Sequence, residues 1–169
     1  MIVSIIKHIA IFIGLILSQK FVFDHFELSR FINVQFFIYY LFLLPFTTGM
    51  GGRISLAFLM GFILDGLNNS PGVYTFSFTL TSIIFSFYIK TLPLEKYRRA
   101  GNINININTV GIYDMFIHVF IISGVFHLLW YIVSIFQFKI GSILLSTISS
   151  TIFCTVIILI FELIFNRRK

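Results

Sequence analysis

Apolar stretches separated by short polar segments are the main feature of the sequence. They cover residues 2–18, 31–46, 54–67, 73–92, 112–138 and 140–165. A helix needs about 20 mainly apolar residues to cross the hydrocarbon core of a bilayer. The pattern therefore predicts an all-α, polytopic membrane protein with about six transmembrane helices, which form a single integral membrane domain over residues 1–169.

The second and third runs are the shortest, and they allow two interpretations. Pro45 closes the second run, and proline disfavours helix at the residue before it. A glycine-rich turn over residues 47–52 follows. The two runs then form either a re-entrant hairpin or two short crossings, because a bilayer can thin locally around short helices.

Composition and charge support the membrane class and predict an orientation. The chain is 58% hydrophobic and 11% charged, whereas about 25% of the residues in a soluble domain are charged. In the six-span arrangement, one side holds Lys7, Arg53, Lys90, Lys96, Arg98, Arg99, Arg167, Arg168 and Lys169, and the other holds Lys20, Arg30 and Lys139. Cytoplasmic loops carry the excess of basic residues, so both termini are expected in the cytoplasm. The net charge of +6 then indicates topology and attraction to membrane lipid rather than to nucleic acid.

Ionisable residues inside a membrane span cost free energy, so each of them needs a physical explanation. Asp65 lies near the end of the third run and is either an interfacial carboxylate or a buried group that binds a partner or a proton. Asp114 and His118 are four residues apart and share a helix face, although a carboxylate at a helix start is also stabilised by the helix dipole. Two ligands are too few for a usual zinc site. We expect no metal and no cofactor.

The remaining polar residues of the spans predict interfacial or packing roles. His127, with Trp130 and Tyr131, is expected in an aromatic belt at the outer membrane interface. Glu162 is also expected at an interface, and Cys154 is expected to be a small buried residue. Hydroxyls that permit close helix approach recur along the last run: Ser142, Ser146, Ser149 and Ser150. The sequence lacks the P-loop, HExxH and GxSxG motifs, so nothing in it favours an enzyme.

Three short motifs make the sequence similar to a known family. They are Leu43-Leu44-Pro45-Phe46 at the end of the second run, Gly61-Phe-Ile-Leu-Asp65-Gly66-Leu67 at the end of the third, and Ser70-Pro71-Gly72-Val73-Tyr74 before the fourth. Together they resemble the rod shape-determining protein MreD family, which has an LPF-like helix end, a GxxxD helix and a (T/S)PG turn. The serine-rich last run and the basic C-terminus resemble that family's second half. The likeness covers nearly the whole chain, and the Asn-Ile repeat at Asn102–Asn108 departs from it.

The resemblance implies a non-enzymatic scaffold of the bacterial cell-elongation complex, which controls cell shape and lateral peptidoglycan synthesis from the cytoplasmic (inner) membrane. Its partners would be an MreC-like shape protein, a SEDS-type glycosyltransferase, a class B penicillin-binding transpeptidase and an MreB-like actin filament. The residues that match the family's motifs are Pro45, Gly61, Asp65, Pro71 and Gly72. On this basis, Pro45 and Gly72 would shape turns, and Gly61 would allow close helix packing. Asp65 would form hydrogen bonds within the core or with a partner.

A substrate-binding subunit of an energy-coupling-factor vitamin transporter is the alternative. Such subunits are similar in size and number of spans, and they also work with partner chains. This function would need a ligand pocket on the outer side, formed by His127, Trp130, Tyr131 and residues 68–74. An intramembrane enzyme that uses Asp65 and His127 is a third hypothesis.

Overall fold

Helices make up most of the described chain. The structure, a computed structural model, describes residues 2–25, 32–45, 47–92, 104–134 and 140–166. Within these ranges the α-helices are α1 (Ile2–Phe21), α2 (Tyr40–Leu43), α3 (Met50–Asn68), α4 (Val73–Thr91), α5 (Ile107–Val110), α6 (Ile112–Ser134) and α7 (Ile140–Asn166). Two 3-10 turns accompany them, at Phe23–His25 and Phe36–Tyr39.

Five of these helices, α1, α3, α4, α6 and α7, are long and apolar enough to cross a membrane. Large apolar side chains cover their outer surfaces: Ile9 on α1, Phe62 on α3 and Phe87 on α4 are 52%, 62% and 56% exposed. A broad apolar surface of this kind is suited to contact with lipid rather than with water. The predicted class of all-α, polytopic membrane protein is therefore confirmed.

Residues 32–45, called the central segment below, differ from the predicted second span. They form no helix at residues 32–35, and the 3-10 turn and α2 that follow cover only residues 36–43. This helical stretch is much shorter than the roughly 20 residues that a spanning helix needs. Phe37 and Leu41 are 0% and 1% exposed, so the longer helices enclose the segment.

Contacts between helix ends show the direction of the central segment. Lys20, near the end of α1, donates a hydrogen bond to the side chain of Asn68 at the end of α3, so these two helices end together. Arg53, in the first turn of α3, donates to the carbonyl of Pro45 at 3.2 Å, so the central segment ends where α3 begins. The central segment therefore returns from one end of the bundle to the other.

Aromatic pairs along α4 agree with this direction. The ring of Phe37 lies 4.9 Å from that of Phe78, and the ring of Phe42 lies 5.1 Å from that of Phe85. The central segment and α4 thus run side by side in the same direction. With the five long helices, the segment makes a sixth pass along the helix bundle in the described chain.

Both ends of the described chain lie at one end of the bundle, because Lys7 of α1 and Phe165 of α7 line the same cavity. We call this the terminal end, and we call the opposite end, which holds the turn between α3 and α4, the hairpin end. Arg53 and Lys90 also lie at the terminal end, whereas Lys20 lies at the hairpin end. The other predicted positions fall outside the described residues: Arg30, Phe46, Lys96, Arg98, Arg99, Asn102, residues 135–138, Lys139, Arg167, Arg168 and Lys169.

The close packing of α3 against α4 depends on the absence of a side chain at position 61. A Cβ atom on Gly61 would lie 2.6 Å from the Cα of Thr75 and 2.8 Å from its backbone nitrogen. Real Cβ atoms do not approach backbone atoms so closely. The two helices can therefore keep this separation only with glycine at position 61.

Replacing Gly61 with alanine should push α3 away from α4 and lower the thermal unfolding midpoint. The added methyl group meets backbone atoms, and overpacking of this kind costs about 1–3 kcal/mol. Gly66→Ala is the matched control, because Gly66 lies in the same helix and has nothing within 4 Å of an added Cβ. Thermal unfolding of both variants in one detergent gives the comparison. Equal midpoints for Gly61→Ala and the unmodified chain would contradict the close approach.

Candidate functional site

Asp65 joins the end of α3 to the start of α4 through four hydrogen bonds. Its Oδ1 accepts from the backbone N–H of Tyr74 at 3.0 Å and from the hydroxyl of Ser70. Its Oδ2 accepts from the backbone N–H of Thr75 at 2.8 Å and from the Thr75 hydroxyl at 2.5 Å. The residue is 6% exposed. Asp65 is therefore a buried, bonded group and not an exposed interfacial carboxylate.

Gly72 explains why a carboxylate from α3 stabilises α4. It occupies the N-cap of α4 with a φ of 82°, and it has no side chain that can accept a hydrogen bond. The first N–H groups of a helix have no partner within the helix, and a capping side chain usually accepts from them. Asp65 provides this acceptor from the neighbouring helix, and its negative charge lies at the positive end of the α4 dipole.

The hairpin end brings together four of the five residues that match the family motifs: Gly61, Asp65, Pro71 and Gly72. The turn between the helices is tight, because Asn69 has a φ of 50° and the N–H of Ser70 donates to the carbonyl of Asp65 at 3.1 Å. Pro45 is the exception. It lies at the terminal end, where Arg53 holds its carbonyl.

Side chains from the long helices hold residues 33–36 of the central segment. Gln19 of α1 is fully buried, accepts from the N–H of Phe36 at 2.8 Å and donates to the carbonyl of Val34 at 3.0 Å. Ser150 of α7 accepts from the N–H of Asn33 at 2.9 Å. Backbone groups that this non-helical stretch leaves without helical partners are thereby satisfied inside the bundle.

His127 and Cys154 bind further carbonyls of the same segment. The Nε2 of His127 lies 3.0 Å from the Asn33 carbonyl oxygen, and its Nδ1 lies 2.7 Å from the carbonyl oxygen of Ser123 in its own helix. The thiol of Cys154 donates to the carbonyl of Gln35 at 3.4 Å. His127 and Cys154 are both 0% exposed. The prediction of a buried cysteine is confirmed.

The prediction that His127 and Tyr131 belong to an outer aromatic belt is wrong. Tyr131 is 6% exposed, and its hydroxyl lies 2.8 Å from the Oγ of Ser150. His127 faces the Asn33 carbonyl of the central segment, and Tyr131 faces Ser150 of α7. Both side chains therefore point into the bundle and away from the lipid. Trp130 packs edge-on against Tyr131, with the ring centroids 5.0 Å apart.

Glu162, expected at an interface, lies near the end of α7 and is buried within the protein, with 1% of its surface exposed. Its carboxylate accepts from the hydroxyl of Tyr39 in the central segment and from the N–H of Ile107 at 3.2 Å. The central segment and α5 therefore cover the carboxylate at the terminal end. A buried carboxylate is stable only when such donors replace water.

His118 and Asp114 occupy different environments. His118 is buried, and its Nδ1 lies 2.5 Å from the hydroxyl oxygen of Tyr88. Asp114 is exposed in the first turn of α6, where the helix dipole stabilises a negative charge. Among the described residues, no group of three or more His, Cys, Asp or Glu side chains is placed to hold a metal ion.

An open cavity of about 560 Å³ lies at the hairpin end, beside the turn that Asp65 stabilises. The residues that line it are Lys20, Asp24, His25, Asn33, Asn68 and Tyr74. Two of these, Asn68 and Tyr74, belong to the stretch expected to form a pocket for the transporter function. His127 and Tyr131, expected in the same pocket, instead lie in the interior beside the central segment.

Several residues of this arrangement were not singled out from the sequence, chiefly Gln19, Asn33 and Tyr39. A glutamine at the end of an apolar run is a weak signal, because it also fits a helix end at the membrane surface. The partners of Gln19 lie at positions 34 and 36, and nothing in the local pattern connects these residues.

Comparisons with protein-family models, with curated proteins and with solved structures found no match for this chain.

Replacing Gln19 with leucine should destabilise the fold strongly. Leucine has a similar size but leaves the Val34 carbonyl and the Phe36 N–H without partners, and each such buried group costs about 1–3 kcal/mol. Ser18→Ala is the control, because the Ser18 hydroxyl donates to the Leu15 carbonyl of its own helix. Thermal unfolding in detergent should show a much lower midpoint for Gln19→Leu than for Ser18→Ala. Similar midpoints for the two variants would contradict the role of Gln19.

Proposed function

We propose that the chain is a non-enzymatic membrane scaffold of the bacterial cell-elongation complex, similar to the MreD family. It would lie in the cytoplasmic membrane and bind an MreC-like shape protein. Together they would position a SEDS-type glycosyltransferase and a class B penicillin-binding transpeptidase relative to an MreB-like filament. The observation that carries this proposal is that several buried polar side chains contact the backbone of other elements.

Buried polar side chains in the described part of the chain mainly bind its own backbone. Gln19, Asp65 and His127 each contact backbone groups of another element, and Glu162 contacts both Tyr39 and the backbone of α5. A general acid or base must instead reach a substrate within hydrogen-bond distance. An interior of this kind favours a rigid shape over catalysis, and it leaves the outer helix faces for contact with partners.

The resemblance to the MreD family gains support from the way its motifs combine. The GxxxD motif supplies Gly61 for close packing and Asp65 for capping, while the SPG turn supplies the N-cap at Gly72. Two motifs that are separate in sequence thus form one hairpin. The two motifs therefore have a physical reason to occur together. This favours a relationship to the MreD family over a chance similarity between apolar sequences.

The distribution of charge supports a cytoplasmic terminal end. Three described basic residues, Lys7, Arg53 and Lys90, lie there, against Lys20 at the hairpin end. Basic residues favour the cytoplasmic side. The sequence has three more basic residues between α4 and α6: Lys96, Arg98 and Arg99.

Purification of the tagged chain from membranes of a rod-shaped bacterium in mild detergent should recover an MreC-like protein. The Asp65→Ala variant should still enter the membrane but should recover less of this partner, because the N–H groups of Tyr74 and Thr75 lose their acceptor and α4 is less well held. Asp114→Ala, at an exposed site, is the control and should recover the partner normally. Depletion of the chain should make the cells round. A complete absence of the MreC-like protein, with unchanged cell shape, would refute the proposal.

A vitamin-binding subunit of an energy-coupling-factor transporter is the second candidate, and the cavity at the hairpin end is the observation that favours it. Its volume of about 560 Å³ falls in the range typical of small-molecule sites. A vitamin that binds the folded chain at 100 times its Kd would add about 2.7 kcal/mol of stability. Thermal unfolding with a panel of vitamins should show no such shift if the chain is a scaffold, and a clear shift for one vitamin would favour the transporter.

A further inference from the structure

Opposite charges line the cavity at the hairpin end without pairing with each other. The ammonium group of Lys20 donates to the side-chain oxygen of Asn68. The carboxylate of Asp24 accepts through Oδ1 from the side chain of Gln19 at 2.8 Å. In the described part of the chain, each charge therefore has a neutral amide as its partner. A charge in a partly buried site is better stabilised by an opposite charge than by an amide.

One polar atom at this cavity is buried and lacks a partner among the described residues. It is Oδ2 of Asp24, an acceptor, whereas the side chain of Asn68 interacts with the hydroxyl of Tyr74. Buried polar groups are usually bonded, and a carboxylate oxygen without a partner beside an open cavity is suited to a ligand that donates a hydrogen bond. Both residues have their other polar atom engaged, Asp24 with Gln19 and Asn68 with Lys20.

The framework around these groups is fixed. Gln19, which holds Asp24, is itself bonded to the central segment at Val34 and Phe36. Asn68 is the last residue of α3, where Asp65 secures the turn to α4. The charged groups are therefore held apart in a defined arrangement, which lowers the cost of ordering them when a ligand binds.

We propose that this cavity binds a zwitterionic group that carries a primary ammonium and a phosphate or similar anion. The anion would contact the ammonium of Lys20. The ligand ammonium would donate to Oδ2 of Asp24. An anion alone would leave Asp24 unsatisfied, and a cation alone would be repelled by Lys20.

Two sources carry this chemistry at a membrane surface: a small soluble zwitterion, or the headgroup of phosphatidylethanolamine. The proposal does not rest on the scaffold function. Loss of the MreC-like partner and loss of zwitterion binding are measured in separate experiments, so either can fail alone.

The test uses the full chain in detergent and phosphoethanolamine as the soluble probe, with binding measured by calorimetry. Phosphocholine is the matched probe, because its quaternary ammonium has no N–H to donate to Asp24. Phosphoethanolamine should bind at least tenfold more tightly than phosphocholine, inorganic phosphate or ethanolamine. Lys20→Met and Asp24→Asn should each weaken its binding by tenfold or more, whereas Lys7→Met and Asp114→Asn should not.

A second experiment, in lipid bilayers, distinguishes the soluble zwitterion from the lipid headgroup. The chain in nanodiscs of mixed phosphatidylethanolamine and phosphatidylcholine should retain phosphatidylethanolamine selectively in native mass spectrometry, and both cavity variants should abolish the selectivity. Soluble binding without lipid retention supports a free zwitterion, and lipid retention without soluble binding supports the headgroup. Equal binding of both soluble probes, or the absence of both signals, would overturn the proposal. If a variant fails to fold, the comparison between probes on the unmodified chain still decides.

Discussion

The bilayer core contains no water to bind backbone N–H and carbonyl groups, so a segment that passes through it without forming a long helix must find its partners within the protein. The central segment is under this constraint. Its non-helical part, residues 33–35, is contacted by Gln19 from α1, His127 from α6, and Ser150 and Cys154 from α7. These contacts connect three long helices to the central segment. The polar residues of the helices lie beside backbone groups that have no partner within a helix. The positions of α1, α6 and α7 relative to one another follow from this requirement.

The hairpin end follows the same rule at a helix terminus. The start of α4 has free N–H groups, and Gly72 cannot cap them with a side chain. Asp65 reaches these groups because Gly61, one turn earlier on the same face of α3, lets the two helices approach closely. Close packing and capping therefore depend on each other. A larger residue at position 61 would move the carboxylate of Asp65 away from the groups that it satisfies.

The sequence predicts the long helices well and the interior poorly, for a physical reason. A run of apolar residues has a local cause, the avoidance of water, so its position is visible in the sequence, and α1, α3, α4, α6 and α7 lie where such runs lie. Hydrogen bonds between distant segments have no local pattern. The burial of Glu162 depends on Tyr39, more than a hundred positions away, and the placement of His127 depends on Asn33. When only the neighbours in sequence are considered, each of these residues resembles a polar group at the membrane interface. Asp65 is visible in the sequence as an ionisable residue within a span and as part of a motif, but its donors Ser70, Tyr74 and Thr75 are not.

One side chain joins the cavity at the hairpin end to the central segment. The amide of Gln19 connects the two regions, since its nitrogen donates to Asp24 at the cavity and to Val34 in the central segment, while its oxygen accepts from Phe36. An amide nitrogen has two hydrogens, so both donors and the acceptor of Gln19 are in use. A ligand that binds the free Oδ2 of Asp24 therefore leaves the bond between Oδ1 and Gln19 intact. Such a ligand would add a contact to the network that holds the central segment without competing with it, so occupation of the cavity would stabilise the fold rather than strain it.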